Sequence, residues 1–173
     1  MERILTSSQQ QLKESFQLHM DAEARGDLDT TMATMTANPH VNHIPTMIGG
    51  IGYERVKEFY TALVPTGKFF PQDLEIESVS QTIDEHQLVD EMIFKFTHTS
   101  EVGWMLPNIA PTGKRVEVPL VVIVGFKDGK VTHEHIYWDQ ASVLVQIGLL
   151  DPKLLPVQGI EAAAKMKEIL LKK

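Results

Sequence analysis

The eight residues HEHIYWDQ, at 133–140, combine two histidines and a glutamate in an alternating pattern typical of a strand. Successive strand side chains point to opposite faces, so the segment has two faces: His133, His135 and Tyr137 on one, and Glu134, Ile136 and Trp138 on the other. If the histidines face a cavity, they indicate a metal site. If Glu134 does, it indicates a carboxylate in an apolar pocket. The alternation alone leaves both interpretations open.

A metal site would need more ligands than the His-x-His pair. His40, His98 or His19 could supply a third and a fourth. Because the sequence has no cysteine and no assigned third ligand on the same face, we predict that no metal and no cofactor are bound.

Composition limits the classes of protein that need be considered. The 173 residues suit one domain, with 43% apolar and 23% charged residues. A net charge of -7 without a Lys/Arg-rich run argues against nucleic-acid and membrane partners. The absence of cysteine excludes a disulfide framework and a thiolate nucleophile. No apolar run reaches the roughly 18 residues of a membrane span, and the first 25 residues lack a signal-peptide core. We therefore expect a cytoplasmic protein.

The first 64 residues have mainly helical signals. Thr6, Ser7 or Ser8 can cap a first helix, and Asp27 can cap a second that includes Met35 and ends at Pro39. The Gly-rich segment at 40–52 indicates a short strand and a loop. A third helix follows from residue 53. Tyr60 lies on its apolar side, where a buried hydroxyl would seek a partner, so it is a candidate hydrogen-bond donor to a ligand.

From residue 74 the pattern changes to strands. Two are predicted around the turn DEHQ, and two more form a hairpin around KDGK. Asp139 is interpreted as the N-cap of the next helix, and a last helix covers about 158–171. The Pro-bounded loop at 101–113 carries Trp104, which we expect to cover a pocket mouth or a partner subunit. Helices followed by strands predict an α+β fold with helices on one face of an antiparallel sheet.

The paired N-terminal helices and the segment PTGKRVEVPLVVIVGFKDGKVTHEHIYWD resemble the SnoaL-like branch of the NTF2-like superfamily. The segment is similar to the pattern of polyketide cyclases and limonene epoxide hydrolases. The resemblance covers about residues 8–150 of a single domain spanning 1–173, with a C-terminal helical extension at 151–173. It implies a cone in which a strongly curved sheet and the helices enclose an apolar pocket.

The resemblance also implies which residues face the pocket. The epoxide-hydrolase pattern aligns without gaps and places inside Val118, Leu120, Glu134, Ile136, Trp138, Met92, Phe94, Phe96, Val41 and His43. It implies a homodimer through the outer sheet face, which carries Val121, Ile123, His133, His135 and Tyr137. The Asp-Arg-Asp set of the epoxide hydrolases is absent, because Phe94, Met92 and Ile136 stand in its place. The fold is therefore expected and the epoxide chemistry is not.

The remaining candidates for chemistry are Glu134 as an acid/base and His43 as its partner. Burial in an apolar pocket is expected to raise the pKa of Glu134 above its usual value of about 4.3. The favoured function is cofactor-independent proton transfer (cyclase, isomerase or lactone hydrolase) on a small hydrophobic carbonyl compound. Two alternatives stay open: a ligand-binding module without chemistry, and a His-x-His metal protein.

Overall fold

The structure is a computed structural model that describes residues 4–66 and 69–171. Its strands are β1 (Met35–His43), β2 (Ile48–Ile51), β3 (Glu75–Ile83), β4 (Gln87–Thr97), β5 (Arg115–Lys127) and β6 (Lys130–Trp138). They form one sheet in the order β2-β1-β6-β5-β4-β3. The α+β class is confirmed. The sheet is mixed rather than wholly antiparallel, because β1 runs parallel to β6.

The helices are α1 (Ser7–Arg25), α2 (Leu28–Ala33), α3 (Tyr53–Leu63), α4 (Gln140–Gln146) and α5 (Glu161–Leu170). Thr6 begins α1 with a capping box, in which its side chain and that of Gln9 bond each other's backbone. No helix among the described residues is both long enough and apolar enough to cross a membrane. The cytoplasmic location stays a prediction.

The second helix is shorter than the sequence predicts. It ends at Ala33, and Met35 and Pro39 belong to β1. The Thr34 hydroxyl donates to the Thr31 carbonyl and so satisfies one of the last carbonyls of the helix. Pro39 is tolerated in the strand because the pairing with β6 is irregular between Met35 and His40.

The β5–β6 hairpin forms as predicted. Asp128 and Gly129 connect its strands with φ values of 53° and 75°. Two consecutive positive φ values give a tight hairpin turn whose twist matches that of the strands. The turn thereby fixes the register in which Glu134 lies opposite Val124.

The core lies between the inner face of the sheet and the helices. Alternate β5 residues are buried there: Val116, Val118, Leu120, Val122 and Val124. The loop at 101–113 contributes Trp104, Met105 and Leu106, which are at most 3% exposed. The loop therefore packs into the chain's own core.

The C-terminal segment covers one end of the outer face. Asp139 caps α4 by accepting from the Ser142 amide at 3.1 Å, as predicted. Further on, α5 packs against β5, where Lys167 pairs with Glu117. Ile93, which strand alternation places on the outer face, is fully buried there. α5 therefore covers part of that face, whereas Val121 and Ile123 farther along β5 remain half-buried.

Candidate active site

Glu134 lies on the inner face of β6, with 5% of its surface exposed. Its Oε2 atom accepts a hydrogen bond from the Tyr60 hydroxyl at 3.0 Å and lies 3.6 Å from His19 Nε2. Among the described residues nothing bonds its other oxygen, Oε1. Glu134 is one of the residues that line the cavity between α1 and the sheet.

His19, from α1, donates from both ring nitrogens. The Thr34 hydroxyl gives its only proton to the Thr31 carbonyl, so it accepts from His19 Nδ1 at 2.6 Å. The Tyr60 hydroxyl likewise gives its proton to Glu134 and accepts from His19 Nε2 at 3.2 Å. A ring that donates from both nitrogens is an imidazolium.

The charges around His19 agree with this assignment. Burial by itself would lower the pKa of His19, but the carboxylates of Glu134 and Glu23 raise it to about 10. His19 is therefore a fixed cation at neutral pH. It is a positioning and electrostatic group, and it does not line the cavity.

Glu23 is the second carboxylate of the site and follows His19 by one turn of α1. Its Oε1 lies 3.2 Å from His19 Nε2, yet this buried oxygen makes no hydrogen bond to any residue that the structure describes. Burial raises the pKa of Glu23, although His19 opposes the effect. Glu23 also lines the cavity. Its environment therefore favours protonation more than that of an exposed glutamate does.

The pKa of Glu134 is shifted in the direction opposite to that of Glu23. Burial alone would raise its pKa, but the charge and proximity of His19, together with the Tyr60 hydroxyl, hold the pKa below its usual value. The expected rise in the pKa of Glu134 is therefore wrong. The reason is His19, a cation that the sequence argument did not place beside Glu134.

The cavity has a volume of about 240 Å³ and runs between α1 and the sheet. Its polar inner residues are Glu23, His43 and Glu134, and Lys13, Gln17, Gln81 and Asp90 are the other polar residues of its wall. The apolar wall consists of Phe16, Met20, Phe69, Phe70, Ile76, Met92, Phe94, Trp104, Leu120, Val122 and Ile136.

His43 lies on the same wall but does not bond Glu134. Its Nδ1 donates to the Ile48 carbonyl at 3.1 Å, and its ring packs 4.9 Å from that of Trp104. Burial lowers its pKa to about 4, so the ring is neutral at neutral pH. With Nδ1–H already engaged, Nε2 can only accept a hydrogen bond. His43 can therefore receive a ligand hydroxyl, but it cannot polarise a carbonyl.

The structure brings most of the predicted pocket residues together. Seven of them line the cavity: His43, Met92, Phe94, Trp104, Leu120, Glu134 and Ile136. The other five are buried outside its wall: Val41, Tyr60, Phe96, Val118 and Trp138. Tyr60 therefore donates to Glu134 rather than to a ligand.

Sequence reasoning missed His19 and Glu23 as site residues. The signal was present, because Leu12, Phe16, His19 and Glu23 are spaced by four, three and four residues. That spacing places all four on one helix face, and two ionisable groups among core positions call for buried partners.

The buried side chains around Glu134 also have the residue types and spacing of a possible metal site. Its members would be His19, Glu23 and Glu134. One ligand atom from each lies within 4.8 Å of the others. The hydrogen-bond network places a proton on His19 Nε2, and that proton occupies the position that a cation would need.

The chain is similar in sequence to one family of known proteins. Residues 14–147 match the family model described as SnoaL-like polyketide cyclase. The chain belongs to the SnoaL-like polyketide cyclase family. No curated protein sequence matches the chain significantly.

Solved structures show the same fold. A protein described as a SnoaL-like polyketide cyclase, from Jannaschia sp. CCS1, is 18% identical with a TM-score of 0.65, covering 87% of this chain and 100% of its own. AclR from Streptomyces galilaeus, described as a hydroxylase, is 22% identical with a TM-score of 0.60, covering 83% and 99%. SalBIII, an epoxide hydrolase/cyclase-like enzyme of pyran ring formation in salinomycin, is 16% identical with a TM-score of 0.51, covering 75% and 91%.

These solved structures establish the fold. The chemistry has to be inferred from the residues that line the cavity of this chain. Met92, Phe94 and Ile136 lie on the cavity wall, where the epoxide-hydrolase pattern has its Asp-Arg-Asp set. Aliphatic and aromatic side chains cannot activate water. The two glutamates of the cavity wall lie instead on α1 and β6, as Glu23 and Glu134.

Proposed function

We propose that the protein is a cofactor-independent proton-transfer enzyme acting on a small hydrophobic carbonyl compound. The observation that carries the proposal is the pair Glu134 and Glu23. Both carboxyl groups line one cavity beside a protonated His19, and their pKa values are shifted in opposite directions. Such a divergence assigns the lowered group as the base and the raised group as the acid.

The proposed step begins at Glu134. Its Oε1 removes a proton from the carbon next to the substrate carbonyl, and the C–H electron pair forms the new C=C bond. The carbonyl π pair takes a proton from Glu23, which becomes a carboxylate and leaves a neutral enol. The two glutamates thereby exchange protonation states, and the positive charge of His19 balances one carboxylate before and after the step.

The enol can continue in two ways. Return of the proton from Glu134 to a different carbon makes the reaction an isomerisation, and the enol O–H gives its proton back to the Glu23 carboxylate as the C=O bond forms again. Attack of the enol carbon on a second carbonyl of the same molecule makes it a cyclisation: Glu134 gives its proton to the new alkoxide, and the enol O–H again returns its proton to Glu23. In either route His43 Nε2 can accept a substrate hydroxyl and so orient it.

Size and polarity support a small, mostly apolar substrate. The cavity of about 240 Å³ is smaller than the roughly 300–1,000 Å³ of drug-sized ligand sites. Aromatic rings from Phe16, Phe69, Phe94 and Trp104 form much of its wall. Lys13, Gln17 and Asp90 can hold a polar end of the ligand.

A deuterium-exchange experiment tests the proposal without knowledge of the natural substrate. Small cyclic ketones, enones and β-keto esters are incubated with the protein in D₂O, and exchange at the α-carbon is followed by NMR. We expect exchange with the wild type and a loss of about a hundredfold or more in Glu134→Gln and Glu23→Gln. Glu85→Gln, at an exposed turn position, is the matched control and should behave as wild type.

Equal exchange rates in wild type and Glu134→Gln would remove Glu134 from the mechanism. Saturable binding of a hydrophobic ligand without exchange of any substrate would favour the binding-module alternative. Exchange that stops on addition of EDTA and returns with a divalent cation would instead make His19, Glu23 and Glu134 a metal site.

A further inference from the structure

Three histidines meet on the outer face of the sheet, on the side opposite the cavity. His40 on β1 lies beside His133 on β6, and His135 follows two residues along. The three ring centroids are 4.7–5.0 Å apart. Of the three candidates for a third ligand beside the His-x-His pair, the fold thus selects His40. The reason for predicting a metal-free protein, the lack of a third histidine on that face, is wrong.

Two of the nitrogens already have the spacing of metal ligands. His40 Nε2 and His135 Nε2 are 2.9 Å apart. For Zn–N bonds of about 2.0–2.1 Å, two cis nitrogens lie about 2.9–3.4 Å apart. Without a metal, one of these nitrogens must carry a proton and donate it to the other. A divalent ion would take the place of that single proton.

The fold makes room for the third ring. A Cβ atom at position 125 would collide with the His133 imidazole, so Gly125 is what allows that ring to lie over β5. The His133 and His40 rings are nearly parallel, at 7°. Imidazole lone pairs lie in the ring plane, so His133 must tilt before its nitrogen can join the other two. Its Nδ1 lies 3.1 Å from the Thr132 hydroxyl. A metal ion held by all three rings therefore requires a rotation of the His133 side chain.

We propose that His40, His133 and His135 bind one borderline divalent cation, of which zinc is representative. Three neutral imidazoles suit zinc or copper and discriminate against magnesium, which prefers oxygen ligands. Three protein ligands leave a fourth position open to water or another molecule. This site is independent of the proposed proton transfer, because it lies on the opposite face of β6 from Glu134.

Zinc titration of untagged protein by calorimetry tests the site. The wild type should bind about one zinc per chain at neutral pH, and magnesium should not compete. His40→Gln and His135→Gln should each weaken zinc binding by about tenfold or more. His86→Gln, at an exposed turn position, is the matched control and should bind as wild type. NMR of the ring nitrogens should show zinc-dependent shifts at His40 and His135, which tests the ligands without any variant.

The variant Glu134→Gln distinguishes this site from the buried cluster of His19, Glu23 and Glu134. The proposal requires the variant protein to bind zinc as tightly as the wild type does. Loss of zinc binding in Glu134→Gln, with unchanged binding in His135→Gln, would place the ion at the buried cluster and overturn the proposal. So would the absence of saturable zinc binding to the wild type, or equal affinity in wild type and the double variant at His40 and His135.

Discussion

His19 is the residue whose charge organises the inner site. It donates to Thr34 on one side and to Tyr60 on the other, and it lies beside the side chains of Glu23 and Glu134. A glutamine at this position keeps polarity but cannot carry the charge. Glu134 would then be buried without its cation, so His19→Gln should destabilise the protein by about 3–5 kcal/mol. Urea unfolding at neutral pH checks this magnitude.

The same residue should give stability a specific pH dependence. The folded pKa of His19 is about 10 and its unfolded value is 6.5, so the folded state holds the proton more tightly. Its contribution is complete below about pH 6.5 and is lost as pH rises towards 10. Wild-type stability should therefore fall across that range, whereas His19→Gln should lack this component. A His19→Gln protein with the wild-type slope would contradict the assignment, and His86→Gln is the control.

Tyr60 is a positioning residue for Glu134. Its hydroxyl donates to the carboxylate, and such a bond to a charged group contributes about 1.5–3 kcal/mol. Tyr60→Phe keeps the buried ring and removes the donor. The pKa of Glu134 should rise, because the Tyr60 hydroxyl is one of the groups that hold it below its usual value. The acidic limb of the pH–rate profile should move upward accordingly, an effect that a purely structural role would not produce.

At the scale of elements, Asp139 has a structural role although its position after two aromatic residues suggests a catalytic one. It ends the aromatic run of β6, but it accepts from the Ser142 amide as the N-cap of α4. Asp139→Ala should lower the free energy of unfolding by about 1 kcal/mol. Deuterium exchange on any active ketone should keep its wild-type rate. A large loss of exchange with unchanged stability would give Asp139 a catalytic role instead.

The elements that were predicted well are those specified by residues adjacent in sequence, through hydrophobic periodicity, a turn or a helix cap. The β5–β6 hairpin follows from alternation and a Lys-Asp-Gly-Lys turn, and α4 follows from its cap. The short strand expected within residues 40–52 forms as the second half of β1, but the first half was missed because its signals conflict: Met35 continues the helical spacing of Leu28 and Met32, and Pro39 argues against a strand. Pairing with β6 decides the outcome, and a parallel partner some 90 residues away leaves no local trace.

The same distinction applies to the site. Alternation along β6 and the family pattern identified the inward face of Glu134. The roles of His19 and Glu23 depend on how α1 lies across the sheet, which periodicity cannot give. His43 faces the cavity as expected, yet its hydrogen bond to Ile48 depends on the path of the β1–β2 turn. His19, and not His43, is the histidine beside Glu134. The packing of α1 on the sheet decides this, and residue type alone does not.

For the whole molecule, the outer sheet face bears on the oligomeric state, which remains a prediction. α5 packs over one end of this face, so a second copy would have to pack on the remainder. That remainder carries Val121, Ile123 and the 40% exposed Tyr137 beside the histidine cluster. A half-buried apolar strip on an open sheet is typical of an interface.

We expect a homodimer at micromolar concentration through this strip. Tyr137→Lys would place two charges near the centre of a symmetric interface, because each copy contributes the same patch. Sedimentation velocity should then show a monomer. Leu18→Lys, at a 49% exposed position on α1 away from the sheet, is the matched control and should remain dimeric. A wild-type monomer at micromolar concentration would contradict the prediction. A dimer disrupted by Leu18→Lys but not by Tyr137→Lys would move the interface to the helical side, where α1 covers the cavity.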